Sequence, residues 1–176
     1  RGDLNRVHVQ RQPGSTMKPI AVYGPAMMSE QYHPYSLIKD EQVDYDGYVA
    51  TNVNGLYAGS VSMFDALVYS KNAPAVWLLD QIGIDYAKTY LELMNIDLSD
   101  QGLAIALGGL EKGISPLQMA EAYRTFAHHG EWTESYTIEK IYNSDGALIA
   151  EARPTFVDVF SPQVAWNMTE MLLNVV

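Results

Sequence analysis

The stretch that most constrains how this chain folds is RQPGSTMKP at residues 11–19. Pro-Gly is a strong turn signal, and a serine directly after it can begin a helix. Residues three apart share a helix face, so Ser15 and Lys18 can meet there. At a helix N-terminus, free backbone N–H groups and the helix dipole also favour a developing negative charge. The stretch predicts a nucleophile, a base and one oxyanion donor in the first turn of a helix.

A second Ser-x-x-Lys pattern runs from Ser36 to Lys39. It lacks both the Pro-Gly lead-in and the following proline, and a short motif is informative only in its context, so we interpret it as a chance match. On their own, the residues from Ser15 to Lys18 are also compatible with a plain helix N-cap followed by an exposed lysine. Both interpretations remain open on these four residues alone.

The chain offers lysine rather than histidine as a base for a serine nucleophile. A serine hydroxyl is a weak nucleophile until a base removes its proton. None of the four histidines stands in a recognisable catalytic triad, and the chain has no Gly-x-Ser-x-Gly elbow. A lysine can act as the base if burial or neighbouring cations lower its pKa towards neutrality. The sequence therefore favours a Ser–Lys mechanism.

Ser70 and Asn72 lie at a break between two predicted helices, at residues 63–69 and 73–82, and form the only Ser-x-Asn pattern in the chain. A hydroxyl at this break can pass a proton to a leaving amine, and the asparagine amide can bind a substrate amide. The alternative is an ordinary polar turn between helices, which uses the same residue types.

Composition excludes several function classes. The formal net charge is −10 and no basic run is present, which argues against nucleic acid as a partner. The chain has no cysteine, so disulfides and thiolate metal sites are excluded. The acidic residues 44–47 lack the glutamate that a calcium loop needs, and the adjacent His128 and His129 do not share a helix face. We expect no metal and no cofactor.

The periodicity predicts a mixed α and β domain. We expect a short strand at residues 5–10, an irregular excursion at residues 28–57, several helices, a hairpin at residues 136–152 and a last helix that begins at Ser161. This order of elements is typical of a mixed α+β fold.

Three blocks of the chain together resemble penicillin-binding protein transpeptidases, in order and at family-like spacing. The blocks are RQPGSTMKPI at residues 11–20, ALVYSKNAPAV at residues 66–76 and LGGLEKGISPLQMA at residues 107–120. The third block is similar to a stretch of the class A, bifunctional members. The resemblance implies that Ser15 is the acylated nucleophile, Lys18 its base, Ser70 a proton relay and Asn72 a substrate-binding residue.

The resemblance also implies a fold and a reaction. The fold would be that of serine β-lactamases and penicillin-binding transpeptidases, an antiparallel sheet flanked by helices. Ser15 would cleave the D-Ala-D-Ala end of one peptidoglycan stem peptide, an amine of a second stem peptide would form the cross-link, and β-lactams would acylate the same serine. The alternatives are a D,D-carboxypeptidase or β-lactamase-type hydrolase, a β-lactam sensor without turnover, and a non-catalytic scaffold.

The family's third motif, Lys-Thr-Gly on a sheet strand, is missing from the 176 residues. In the family that motif follows a helix that resembles residues 161–176. We therefore expect residues 1–176 to be a partial transpeptidase domain of a longer polypeptide. The rest of that polypeptide would supply the Lys-Thr-Gly strand, an upstream glycosyltransferase domain and a membrane anchor. The resemblance places such a protein on the extracytoplasmic face of the bacterial cell membrane.

Overall fold

The computed structural model describes residues 5–175, so the ends of the predicted 1–176 domain lie outside the described residues. Residues 14–28 form one continuous helical stretch, which we call the first helical stretch. Its parts and the later helices are a 3-10 turn Gly14–Thr16, a π segment Pro19–Tyr23, α1 Gly24–Met28, α2 Met63–Val68, α3 Asn72–Ile82, α4 Ile84–Leu93, a 3-10 helix Leu103–Leu107, α5 Pro116–Ala127 and α6 Pro162–Leu172.

The described strands pair two by two, and every pair is antiparallel. The strands are β1 Leu37–Asp40, β2 Asp44–Tyr45, β3 Tyr48–Val49, β4 Gly59–Ser62, β5 Glu131–Trp132, β6 Lys140–Tyr142, β7 Leu148–Glu151 and β8 Val157–Asp158. β1 pairs with β4, β2 with β3, β5 with β8 and β6 with β7. The predicted hairpin is present as β6 and β7.

The first helical stretch runs through the centre of the core. Residues 19–23 are fully or almost fully buried on every side, and the stretch packs against α3 and α4. A helix that is apolar all round must be buried all round. The π segment ends directly before Gly24 and Pro25, and the Gly24 N–H donates to the Pro19 carbonyl instead of to the carbonyl four residues back. Such π segments are common at functional sites.

Three later helices begin at serine caps, as their sequences predict. Ser62, Ser115 and Ser161 each accept a hydrogen bond from the backbone N–H three residues on. Ser115 and Gln118 complete a capping box, since the glutamine side chain also accepts from the Ser115 N–H. These caps fix where α2, α5 and α6 enter the core.

Two predictions about local structure are wrong. Residues 5–10 form turns rather than a strand. Val7 is 45% exposed, and the one β-bridge nearby among the described residues joins Arg11 to Ile114. Residues 28–57 are not simply irregular, since they contain β1 and the short hairpin β2–β3. The sequence pattern does not indicate β1, because its two core-facing residues are Ile38 and the charged Asp40. A charged residue on the core side breaks the usual alternation of apolar and polar residues along a strand.

No helix in the described part of the chain is both long and apolar enough to cross a membrane.

Candidate active site

The turn before Ser15 is held by the segment at residues 108–114. The Gln12 side chain bonds to both backbone groups of Leu110, accepting from its N–H at 2.8 Å and donating to its carbonyl. Gly108 has a φ of +72° and lies so close to Gly14 that a Cβ on it would collide with the Gly14 backbone. Two blocks that are far apart in the sequence, one around Ser15 and one around Gly108, are therefore in direct contact.

Ser15 lies in the 3-10 turn that opens the first helical stretch, with its side chain exposed. Its hydroxyl forms no hydrogen bond with any residue between 5 and 175, so it is free to meet a ligand. The turn leaves the leading backbone N–H groups without partners inside the helix, where a negative charge is favoured. The position therefore combines an accessible hydroxyl with backbone donors.

Lys18 is 1% exposed and points away from solvent. Its Nζ donates to three acceptors, the Ser70 carbonyl at 2.7 Å, the Ser70 Oγ at 3.1 Å and the Asn72 Oδ1 at 2.8 Å. An ammonium has three hydrogens, so all of them are used. The structure thus joins Lys18, Ser70 and Asn72 directly, while Ser15 stands outside this set of hydrogen bonds.

Burial lowers the pKa of the Lys18 ammonium to about 8. At that pKa, roughly one lysine in ten is neutral at pH 7, compared with roughly one in 2,500 for an exposed lysine. A neutral amine has only two hydrogens and one lone pair, so deprotonation releases one of the three bonds. The longest of them, to the Ser70 Oγ, is the one we expect to open or reverse direction. Lys18 can then accept a proton.

Ser70 has the left-handed backbone conformation, with a φ of +49°. It follows α2 in the position where helices most often place glycine, and its N–H donates to the Leu67 carbonyl while the next N–H donates to the Ala66 carbonyl. A non-glycine residue here is strained, and such strain concentrates at functional sites. The turn keeps a hydroxyl next to Lys18 at a position that favours glycine.

The Asn72 side chain is held at both ends. Its Oδ1 accepts from Lys18, and its Nδ2 donates to the Thr51 carbonyl at 2.8 Å. The amide oxygen keeps a second lone pair, which can accept a hydrogen bond from a ligand N–H. The second Ser-x-x-Lys pattern, in contrast, does not lie on a helix. Lys39 belongs to strand β1 and pairs with Glu41 at 3.0 Å.

Several residues that hydrogen-bond to the segments carrying the site residues were not predicted from the sequence. Asn52 and Asp40 form buried hydrogen bonds to the turn that carries Ser70, and the Tyr123 hydroxyl donates to the Thr16 carbonyl at 2.9 Å. Burial raises the pKa of Tyr123 to about 12, so its hydroxyl stays protonated. Asn52 lies in an Asn-x-Asn-Gly run that indicates a turn, and Asp40 lies in a strand that was not predicted. No local signal in the sequence identified these contacts.

The described residues contain no group of three or more histidine, aspartate or glutamate side chains placed to hold a metal ion. The acidic residues 44–47, which hinted at calcium, are strand β2 and the two turn residues, Asp46 and Gly47, that join it to β3. Asp44 Oδ1 accepts from the Gly47 N–H at 2.6 Å and so stabilises that turn.

The sequence of the chain matches the model of a known protein family. The model described as the penicillin binding protein transpeptidase domain matches residues 3–176, which is nearly the whole chain. The chain belongs to the penicillin-binding protein transpeptidase family. The resemblance that the three sequence blocks predicted is therefore confirmed.

Curated relatives agree with the family. Penicillin-binding protein 1F of Bacillus subtilis (strain 168) is 54% identical over 172 residues, which cover 98% of this chain and 24% of the relative. Penicillin-binding protein 2a of Streptococcus pneumoniae serotype 2 is 36% identical over 169 residues, 94% of this chain and 23% of the relative. These relatives are of the class A type that the sequence resembles. The chain spans about a quarter of the length of the curated relatives it matches.

Solved structures of the family share the fold. Penicillin-binding protein A from M. tuberculosis, in its imipenem acyl-enzyme complex, has a TM-score of 0.84 at 21% identity, over 98% of this chain and 45% of that one. Penicillin-binding protein 1A from Haemophilus influenzae has a TM-score of 0.86 at 23% identity, over 99% of this chain and 31% of that one. The predicted fold class, mixed α and β of the penicillin-binding transpeptidase type, is confirmed.

Proposed function

We propose that residues 1–176 are part of a serine D-Ala-D-Ala transpeptidase domain, in which Ser15 is acylated by a peptidoglycan stem peptide. The observation that carries the proposal is the buried Lys18, which lies one helical turn after the exposed Ser15 and is bonded to Ser70 and Asn72. Burial lowers the pKa of Lys18 to about 8, as a base for serine requires. Membership of the transpeptidase family supports the same reaction.

Acylation begins when neutral Lys18 takes the proton of the Ser15 hydroxyl. The Ser15 Oγ then forms a bond to the carbonyl carbon of the D-Ala-D-Ala peptide, and the carbonyl oxygen becomes an oxyanion. The Ser15 backbone N–H, at the start of the helical stretch, is one donor to this oxygen.

Collapse of the tetrahedral intermediate breaks the bond to the terminal D-alanine. The leaving amine needs a proton, and Lys18 now carries the one taken from Ser15. The Ser70 hydroxyl, 3.1 Å from the Lys18 Nζ, relays that proton to the amine. The free lone pair of the Asn72 Oδ1 accepts a hydrogen bond from the substrate amide. The products are free D-alanine and an ester on Ser15.

An amine of a second stem peptide then attacks the ester, which forms the cross-link and returns the Ser15 hydroxyl. A β-lactam presents an amide of similar shape, and its ring opens as Ser15 is acylated. No step of this cycle needs a metal or a cofactor, because the lysine supplies the base and backbone N–H groups supply the oxyanion donors.

The partners of the whole protein follow from this assignment and from the length of the relatives. We propose that a longer polypeptide supplies the Lys-Thr-Gly strand that binds the substrate carboxylate, and also a glycosyltransferase domain and a membrane anchor. The protein would act on the extracytoplasmic face of the bacterial cell membrane. Support comes from the curated relatives, which are about four times as long as this chain and of the class A type.

Labelling of the full-length protein with a fluorescent penicillin tests the proposal. We expect covalent labelling that Ser15→Ala abolishes and that Ser36→Ala, the serine of the second Ser-x-x-Lys pattern, leaves unchanged. The rate at which label is lost, with and without an acceptor amine, then separates the enzyme classes. Loss that needs the amine indicates a transpeptidase, loss in water alone indicates a hydrolase, and no loss indicates a sensor.

A further inference from the structure

The Asn52 side chain is buried, 3% exposed, and all four of its hydrogen-bonding positions are used. Its Oδ1 accepts from the Asn72 N–H at 2.8 Å and from the Ala73 N–H at 3.1 Å. Its Nδ2 donates to the Asp40 Oδ1 at 2.7 Å and to the Leu56 carbonyl at 2.9 Å. Rotation of the amide by half a turn would break all four bonds, so the orientation of Asn52 is fixed.

Asn52 replaces the cap that α3 lacks. Lys71, the residue before α3, forms no side-chain cap bond, and the first two N–H groups of the helix are instead satisfied from a segment about twenty residues earlier. Thr51 adds a second contact, since its carbonyl accepts from the Asn72 Nδ2. The backbone and the side chain of Asn72 are therefore both positioned by residues 51 and 52.

Asp40 binds both Asn52 and Lys71, the middle residue of the turn at residues 70–72. Its carboxylate is fully buried and accepts from Asn52, from the Ala58 N–H at 2.9 Å and from the Lys71 Nζ at 2.5 Å. Burial raises the pKa of Asp40, but the hydrogen bonds from Lys71, Ala58 and Asn52 outweigh it and hold the pKa below its ordinary value. The carboxylate is therefore ionised, and its charge is balanced by Lys71.

Side chains alternate along this turn. Ser70 and Asn72 face Lys18, while Lys71 between them faces Asp40. The strained left-handed conformation of Ser70 needs surrounding contacts to persist. On its C-terminal side, the contact of Lys71 with Asp40 and that of Asn72 with Lys18 supply them. Because Lys71 pairs with the buried Asp40, it is not placed to bind the carboxylate of a substrate.

We infer that Asn52, oriented by Asp40, is a positioning residue that holds Ser70 and Asn72 against Lys18. This inference rests on the proposed acylation of Ser15. Asn52 touches no reacting atom, so its removal should change the rate of the chemical step more than the binding of the ligand. A displacement of about 1 Å in a catalytic group can lower a rate by roughly a hundredfold.

The test compares Asn52→Ala with Ser161→Ala in the full-length protein. Both variants remove a helix cap, but Ser161 caps α6 and has no bond to the turn at residues 70–72. For each, the acylation rate constant at saturating fluorescent penicillin is measured apart from the dissociation constant of the non-covalent complex. We expect Asn52→Ala to lower the rate constant at least tenfold, with less than a threefold change in the dissociation constant. Ser161→Ala should stay within twofold in both.

Hydrogen–deuterium exchange supplies a readout that does not depend on labelling. Asn52→Ala should speed exchange at the amides of Asn72 and Ala73, and Ser161→Ala should not. Unchanged exchange at these two amides, or a wild-type acylation rate in Asn52→Ala, would overturn the inference. If wild-type protein takes no label at Ser15, the proposed function fails instead, and the exchange result still decides whether Asn52 holds the turn.

Discussion

Gly108 lies directly against Gly14, the residue before the proposed nucleophile. The contact is between backbones, because neither residue has a side chain, and Gly108 also ends the 3-10 helix Leu103–Leu107 in a left-handed conformation. Together with the Gln12 bonds to Leu110, this contact fixes the direction from which the chain enters the turn of Ser15.

Gly108→Ala should therefore be severely destabilising. A left-handed alanine costs about 1 kcal/mol, and the collision of its Cβ with the Gly14 backbone should raise the total loss to about 3 kcal/mol or more. Gly146→Ala is the matched control, since Gly146 has a φ of +79° and a Cβ there meets nothing within 4 Å. Urea unfolding measures both. Equal losses in the two variants would show that the Gly108–Gly14 contact adds nothing.

The acylation rate should rise with pH and level off above about pH 8. The reason is that Lys18 must be neutral to take a proton, and burial lowers its pKa to about 8, so the neutral form increases as pH rises through that value. The second-order rate of penicillin labelling, measured from pH 6 to 9.5 and corrected for hydrolysis of the penicillin in buffer, checks this. A flat profile would contradict it, and so would a rate that still rises without levelling off at pH 9.5, as expected for an exposed lysine with a pKa of about 10.4.

Ser70→Gly and Ser70→Ala should separate stability from function. Both variants lose the hydroxyl bonded to Lys18, so both should acylate much more slowly than wild type. Glycine relieves the positive φ and alanine does not, so Ser70→Gly should be about 1 kcal/mol more stable than Ser70→Ala. Thermal unfolding together with labelling rates gives both quantities. Equal stability of the two variants would mean that Ser70 stores no strain.

The buried pair of Asp40 and Lys71 should be strongly coupled. Lys71→Met leaves a buried carboxylate without its cation, which costs about 3 kcal/mol, so a double-mutant cycle with Asp40→Asn should give a coupling of about 2 kcal/mol. Lys140 and Glu151, an exposed pair at 3.0 Å, are the control, with an expected coupling below about 0.5 kcal/mol. Similar values for the two pairs would show that burial does not strengthen the first.

Local chemistry explains how much of the site could be predicted from the sequence. Pro-Gly before Ser15, and the serine caps of α2, α5 and α6, act within a few residues, so the sequence predicts those helix starts well. The meeting of Lys18 with Ser70 joins residues 52 positions apart, and only the family resemblance pointed to it. The roles of the four predicted site residues remain predictions, although Lys18 is directly hydrogen-bonded to two of the others, Ser70 and Asn72.

Some contacts join residues that are far apart in the sequence and whose type is unusual for their position. These contacts could not be predicted. Asp40 is a charged residue on the core side of a four-residue strand, where an apolar residue is expected, and its partners lie 12 to 31 positions away. Asn52 caps a helix from outside that helix, so no capping pattern marks it in the sequence. The close approach of Gly108 to Gly14 likewise depends on tertiary packing.

Peptide mapping of the penicillin adduct on the full-length protein tests the central assignment most directly. Digestion and mass spectrometry should place one adduct on the peptide that contains Ser15, with fragment ions that assign it to Ser15 rather than to the neighbouring Thr16. The same digest of Ser36→Ala should give the same adduct. An adduct on any other residue, or no adduct on protein that is folded, would contradict the account.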